Sequence, residues 1–390
     1  MPLDELIRNA HFLVPQMLEH TRGWVNVNSY SKEVAAVNAM ADRLQSAFAL
    51  PGLEFRREAG NGVGDHLFWM TPEASRRRPI LLIGHHDTVF PPGHFEGFRE
   101  EAGRGYGPGC LDMKGGLAVI WGVLKAFADA ALLAELPLAV ISVSDEEIGS
   151  LDSKPHIEAL ARVAEAALVF ESGRKGDAIV TCRRGVGEVR VQSTGKAAHS
   201  GNAHANGANA IWSLGRFIDF AQSLTDYGRG LTVNVGLVRG GTSSNTVPEH
   251  AEINVDLRFE TIADAEGLIA KLNEGARTTA VAGTTLAVSG GVKRLPMERT
   301  AQSLDLYKAY AECQHASGLG SSEHPLVGGG SDANTVAGVG LPVIDGLGLR
   351  GEGFHTRDEY IELDSFGPKA EALLRFLHRY LSPGEEATQG

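Results

Sequence analysis

The stretch Gly107-Pro108-Gly109-Cys110-Leu111-Asp112-Met113-Lys114-Gly115-Gly116 sets one carboxylate, Asp112, on a glycine-rich turn directly ahead of an apolar helix. That helix reads from Met113 to Asp129, where Leu117, Ile120, Trp121, Leu124 and Phe127 recur at helical spacing. Glycines on both sides let backbone approach closely, so a ligand or an ion can sit against the carboxylate. Alone the pattern says little, because an Asp before an apolar helix is most often a plain N-cap.

Three further segments point to the same place. Residues 79–84 (PILLIG) form a continuous apolar run of the kind buried in a parallel sheet, and they lead into His85-His86-Asp87-Thr88-Val89. Residues 137–143 (PLAVISV) deliver Ser144-Asp145-Glu146-Glu147, and residues 167–170 end on Glu171. Ligand groups gather at the carboxyl ends of parallel strands in an open α/β sheet. A histidine, a Glu-Glu pair and a single Glu are therefore expected on one rim.

A chain of 390 residues is long enough for two cores, and 43% hydrophobic with 22% charged residues is the composition of a soluble globular protein. With 36 Lys+Arg against 48 Asp+Glu the formal charge is -12, which disfavours nucleic acid or an anionic membrane surface as partner. Asp4 and Glu5 stand where a secretory leader needs positive charge, and no apolar run approaches the roughly 18 residues of a membrane span. Three scattered cysteines, Cys110, Cys182 and Cys313, suit a reduced, cytoplasmic setting. Cys110 reads best as a small buried residue.

In chain order, an amphipathic helix is expected from about Lys32 to Phe48, ended by Pro51-Gly52. Strand and helix patterns alternate to about Arg183, the mark of a mostly parallel sheet with helices on its faces. From Gly185 the pattern becomes strictly alternating, as in Glu188 to Gln192 and Ile253 to Glu260, which implies an antiparallel sheet with one wet face. Helices over about 205–224 and 263–282, with strands over 231–238 and near 285–289, complete a strand-helix-strand-strand-helix-strand order, the split βαβ or ferredoxin-like plan. The first pattern resumes at about Pro296 and closes with a helix over 366–381. The expectation is an α/β protein: a mostly parallel-sheet domain from residues 1–184 and 296–390, interrupted by an α+β domain of residues 185–295. The tail from Ser382 is expected to fray.

His85 and Asp87 share one face of an extended segment, so His85 can bind a metal while Asp87 holds its other ring nitrogen. Glu146 and Glu147, being adjacent, cannot both face one point from a regular strand; one suits ligation and the other proton transfer. Glu171 and His355 complete the set. Asp112, Glu147 and Glu171 together carry about -3, which favours two divalent ions over one. Zinc suits the donors, with manganese and cobalt as alternatives. Each residue also has a plain structural reading: a satisfied core histidine, a solvated helix start, a loop histidine. Their joint placement at the ends of successive buried runs is what favours a site. His86, His94, His204 and His324 read as surface or packing residues.

GHHDTV (84–89), GPGCLDMKGG (107–116), SDEEIGS (144–150), FES (170–172), GKAAHSG (195–201), TSSNTVP (242–248), DLRF (256–259), GGGSDA (328–333) and GFHTRDEY (353–360) together resemble the co-catalytic zinc peptidase and deacylase family, peptidase family M20, and within it the bacterial glutamate carboxypeptidase branch. The resemblance implies a zinc-peptidase catalytic domain with an inserted lid and dimerisation domain, and two Zn2+ per subunit. It implies that Asp112 bridges the ions, that His85 and Glu171 complete one position and Glu147 and His355 the other, and that Glu146 is the general base while Asp87 orients His85. His199 would reach the partner subunit's active site to stabilise the oxyanion. Asn245, Arg258 and Arg294 would hold the substrate's free carboxylate, with Lys293 able to replace Arg294, and the Gly328 to Ser331 loop, Gly330 and Ser331 included, would offer backbone donors. Glu rather than Asp at position 171 goes in this family with carboxypeptidases and N-deacylases. The implied activity is hydrolysis of an amide bond next to a free carboxylate, releasing an amino acid such as glutamate from an acyl or peptidyl group. Alternatives are an N-acyl amino acid deacylase of the acetylornithine, succinyl-diaminopimelate or aminoacylase type, and an inactive binding protein on the same fold. The implied partners are a small-molecule substrate and a second copy of the chain, in a homodimer formed through the lid.

Overall fold

A computed structural model of the chain describes residues 2–381; the tail from Ser382 to Gly390 lies outside them. The chain divides into two compact units. One comprises the chain up to Thr181, Arg299–Pro325 and the chain from Ser331 on; the other comprises Cys182–Glu298 and Leu326–Gly330.

The first unit is built on a six-stranded sheet in the order Glu54–Glu58, His66–Met70, Leu138–Val143, Ile80–His85, Ala166–Val169, Val343–Ile344. The last four strands run parallel, and the first two add an antiparallel hairpin at one edge. Strands covered on both faces need unbroken apolar runs, and Ile80–His85, Leu138–Val143 and Ala166–Val169 are buried at every position. His85 pairs with Val143 and Ile83 with Val169, so the three strands end nearly level. His85, the turn after Val143 and Glu171 therefore leave the sheet along one edge.

The helix Gly115–Asp129 is apolar nearly all round and buried from Gly115 to Leu124. Such a helix belongs inside a core rather than on its surface, and it packs against the sheet and against the helices Val14–Val25 and Phe366–His378. Close packing explains two of its neighbouring glycines. A Cβ on Gly84 would stand 2.6 Å from Met113 Cε, and one on Gly116 would stand 2.5 Å from the Phe170 carbonyl oxygen.

The helix starts at Gly115, not Met113, because residues 110–114 form a wider, irregular turn, closed by the Lys114 N–H on Gly109 O at 2.9 Å, in which Asp112 (φ -119, ψ 86) and Met113 (φ -136, ψ 35) leave helical geometry. The peptide joining them is cis. Two helices, Leu3–Phe12 and Val14–Val25, also precede the one expected from Lys32, which spans Val34–Ala47. Their buried stripes are only Leu6 and Ala10 in the first, then Met17, Thr21, Trp24 and Val25 in the second, too short to stand out by periodicity.

The second unit is a four-stranded antiparallel sheet in the order Thr232–Gly240, His250–Phe259, Gly185–Thr194, Thr285–Arg294. Helices Ala210–Gln222 and Ile262–Thr278 pack with the face carrying Val189, Val191, Ile253, Val255 and Leu257. Glu188, Arg190 and Gln192 take the other face, as the alternation requires. The helix expected from about residue 205 begins at Ala210, because the Asn209 side chain accepts the Trp212 N–H at 2.8 Å and caps it there. Among the described residues no helix is long and apolar enough to cross a membrane.

Gly116→Ala is expected to destabilise the fold by about 1–3 kcal/mol, since its methyl group meets backbone that cannot yield. Gly122→Ala meets only side-chain atoms of Met17 and is expected to cost less; urea denaturation of the two variants checks the order.

Candidate active site

His85 ends its strand with its two ring nitrogens facing different acids. Nδ1 lies 3.1 Å from the Asp87 carbonyl oxygen and 3.4 Å from Asp87 Oδ1. Nε2 lies 3.2 Å from Asp112 Oδ1 and 3.7 Å from Glu171 Oε1. The other Asp112 oxygen, Oδ2, is 3.4 Å from His355 Nε2, which in turn is 3.0 Å from Glu147 Oε2. Asp112 thus divides its oxygens between two histidines, each accompanied by a further carboxylate. One donor atom each from His85, Glu146 and Glu171 lie within 4.8 Å of one another, as do those from His85, Asp112 and Glu147.

Donors around a tetrahedral zinc, each about 2.0–2.2 Å from the ion, stand about 3.3–3.6 Å from one another. The four contacts of 3.0, 3.2, 3.4 and 3.7 Å bracket that edge. Mixed imidazole and carboxylate donors at this spacing fit a divalent metal ion.

The charges agree. Burial opposes protonation of His85, yet Asp112, Asp87 and Glu171 outweigh it and hold the imidazole well above its ordinary range. Hydrogen bonds to Asp112 and Glu147 push His355 up to about 10. Burial, then Asp112, raises Glu171 well above the usual carboxylate range, and burial raises Glu147 in the same direction. Burial acts likewise on Asp112, but His355 and His85 overcome it and hold that carboxyl far below the usual range.

Two buried acids shape the turns that carry these groups. Asp87 accepts the Ser31 hydroxyl at 2.7 Å and the backbone N–H groups of Glu146 and Glu147, each at 3.2 Å. It therefore holds the Glu146–Ile148 turn as well as facing His85. Successive residues of a helical turn diverge by about 100°, so Glu147 meets His355 while Glu146 lies on the side of His85 and Glu171. The second acid is Glu359, which the sequence reading passed over. Its Oε1 accepts from the N–H groups of Leu111 and Asp112 at 2.9 and 3.0 Å, and its Oε2 from Gly109 at 2.9 Å. Burial, then Asp112, pushes it up to about 8. It sits in the polar run Thr356-Arg357-Asp358-Glu359, where nothing local distinguishes it from a solvated charge.

The remaining expected residues lie mostly in the second unit. The N–H groups of Gly201 and Asn202 donate to His199 Nδ1 at 3.1 and 3.2 Å, which leaves the hydrogen of a neutral ring on Nε2. Asn245 is its neighbour: Ser200 N donates to the Asn245 carbonyl at 3.0 Å, and His199 pairs with Thr246. Arg258 and Arg294 both stand opposite Val186, one strand to either side of it. Arg258 is held by Asp256 through two hydrogen bonds of 2.9 and 3.1 Å, and Lys293 pairs with Glu188. Val186, next to the start of the strand Gly185–Thr194, and Thr194 at its end are separated by about 26 Å at ~3.3 Å per residue. The structure therefore brings His199 and Asn245 together, and Arg258 and Arg294 together, but puts the two pairs towards opposite ends of the sheet. Gly330 closes the second unit's short segment. Ser331, in the first unit, is committed locally: its hydroxyl donates to Asp345 at 2.6 Å, its N–H donates to Asn334 at 2.9 Å, and it caps Asp332–Gly338. His86, read as a packing residue, is buried against the Ser142 hydroxyl at 2.9 Å, and burial pulls its pKa down to about 3.

The profile of peptidase family M20/M25/M40 matches residues 81–379. Carboxypeptidase G2 of Pseudomonas sp. (strain RS-16) is 30% identical over 360 residues, 90% of this chain and 86% of that protein. Acetylornithine deacetylase of Myxococcus xanthus is 29% identical over 249 residues, 60% and 64% of the two chains. Among solved structures, aminopeptidase PepT from Bacillus cereus superposes with a TM-score of 0.77 at 23% identity, covering 95% of this chain and 99% of that one.

Asp87→Asn is expected to lower stability by about 1–3 kcal/mol, because the buried carboxamide turns a donor towards an N–H of the Glu146–Ile148 turn. Urea unfolding of the metal-free protein measures it.

Proposed function

This chain belongs to peptidase family M20/M25/M40, and we propose that it is a dinuclear zinc amidohydrolase of the carboxypeptidase kind, releasing a C-terminal amino acid such as glutamate from an acyl or peptidyl group. The observation that carries this reading is the division of Asp112 between His85 and His355. Asp112 would bridge the two ions, with His85 and Glu171 on one and Glu147 and His355 on the other; manganese or cobalt would meet the same donors. When bound, such ions supply Lewis acidity, polarising the scissile carbonyl and bringing the pKa of water towards roughly 7.

The chain's own groups do the rest. Glu146, beside His85 and Glu171, takes the attacking water's proton and returns it to the departing nitrogen. Asp87 keeps the His85 ring turned so that Nε2 faces the centre. His199 offers its Nε2 hydrogen to the oxyanion. Arg258 and Arg294 supply guanidinium forks for the free carboxylate of the substrate, and Gly330 adds a backbone donor.

Two separated pairs in the second unit favour a homodimer. About 26 Å of strand lies between the Arg258–Arg294 row and the end that leads to His199 and Asn245, too far for one small substrate to touch both within a chain. His199 and Asn245 would then serve the partner's centre. Thr232–Gly240 is an edge strand with Leu237 and Val238 exposed, and exposed Ile211 and Trp212 lie on the adjoining helix, an apolar edge suited to pairing with a second copy. On this reading residues 185–295 form the lid and dimerisation domain. Three free cysteines accord with a cytoplasmic setting.

An N-acyl amino acid deacylase is the second reading, favoured by the similarity to acetylornithine deacetylase. Protein of measured metal content, offered acylglutamates, N-acylated amino acids and dipeptides in parallel, is expected to turn over the acylglutamates best; preference for N-acetylated or N-succinylated amino acids transfers the chain to the second reading. Glu146→Gln is expected to keep its zinc, read by elemental analysis, and to lose about 10²–10⁴ in kcat; substantial residual turnover would remove Glu146 from the role of base.

A further inference from the structure

We propose that Glu359 is a positioning residue for Asp112: its carboxylate holds the 109–112 turn in the shape that divides the Asp112 oxygens between His85 and His355. The inference rests on the metal-centre reading above and adds a residue to it. Glu359 is fully buried, and its two oxygens collect three backbone N–H groups, Gly109 on Oε2 and Leu111 and Asp112 on Oε1, at 2.9 to 3.0 Å. These are the donors freed where the chain leaves helical geometry before Gly115. A buried N–H without a partner costs about 1–3 kcal/mol, so the turn keeps this shape only while an acceptor stands there.

The acceptor is itself anchored. The Glu359 N–H donates to Thr356 O at 3.3 Å, and its carbonyl accepts from Gly107 N at 3.4 Å and from Cys110 Sγ at 3.8 Å. The following strand, Tyr360–Glu362, pairs with Arg104–Tyr106, with Tyr360 opposite Tyr106. The loop before it closes on itself at Gly353 (φ +80), where a Cβ would meet Asp358 O at 2.7 Å, and this loop carries His355. Asp112 and His355 are thereby set by one short segment, although 247 residues separate Asp112 from Glu359. A neutral acceptor would serve one or two N–H groups without placing a second anion near Asp112. Only a carboxylate meets all three at once, and its charge favours the charged form of the buried Lys114, whose Nζ donates to Trp24 O and Val27 O at 3.0 and 2.9 Å, against the burial that pulls that amine down to about 7.

The test uses the full chain, metal-free and zinc-loaded, as Glu359→Gln and Glu359→Ala. Leu373→Ala, in the buried core of the helix Phe366–His378, is the control for lost stability alone. A carboxamide must turn its NH2 towards at least one of the three N–H groups. Expected are a fall of about 10–100-fold in zinc affinity by chelator competition, faster hydrogen exchange at Gly109, Leu111 and Asp112 in the metal-free protein, and a lowered kcat with little change in KM. Leu373→Ala is expected to lose thermal stability while keeping its zinc affinity. Folded Glu359→Gln and Glu359→Ala with zinc affinity within about twofold of the unaltered chain and unchanged exchange at the three amides would overturn the proposal. If neither variant folds, Glu359→Asp, which keeps the charge and shortens the reach, is judged by the same two readouts. An unaltered chain that takes up no zinc defeats the hydrolase reading separately, and amide exchange in Glu359→Gln then decides the role of Glu359.

Discussion

Like charges held close together in a poorly hydrated pocket are the constraint around which the first unit is built. Asp112, Glu147 and Glu171 are drawn to one point where screening by water is weak and repulsion correspondingly strong. His85 and His355 offset part of it by holding protons more tightly than free imidazole, and Glu147 and Glu171 by resisting ionisation. The backbone around the cluster leaves these groups little freedom to spread.

That restraint comes from acids behind the cluster rather than from the cluster itself. Asp87 takes the N–H groups of Glu146 and Glu147, Glu359 takes those of Gly109, Leu111 and Asp112, and Asp145 takes those of Asp152 and Ser153. In each case a carboxylate replaces the hydrogen bonds that an irregular turn cannot make internally. The level ends of three parallel strands supply the starting points, and the buried acids supply the direction in which each turn departs.

The second unit follows a different logic. Its antiparallel sheet presents a polar face and a free edge strand, and its polar groups of interest sit in two pairs rather than one cluster. A sheet of this kind spans distance cheaply, since each residue advances the chain by about 3.3 Å. It is suited to carrying groups outward.

Much of this was legible in the chain itself. Continuous apolar runs ending at His85, before Glu146 and before Glu171 dictate buried parallel strands, because only a strand covered on both faces tolerates such composition. Strict alternation from Gly185 onward dictates a sheet wet on one side. These are local signals, and the main strands and helices from Val34 onward, with most of the candidate donors, follow from them, whereas the helices Leu3–Phe12 and Val14–Val25 do not. What tertiary structure alone decided is which distant groups meet. The irregular turn at Asp112, the role of Asp87 towards Glu146 and Glu147 and the burial of Glu359 all depend on hydrogen bonds between segments far apart in sequence. Periodicity records which face of an element is apolar; it carries no information about which remote carboxylate will accept a given backbone N–H, because that pairing exists only once the chain has closed on itself.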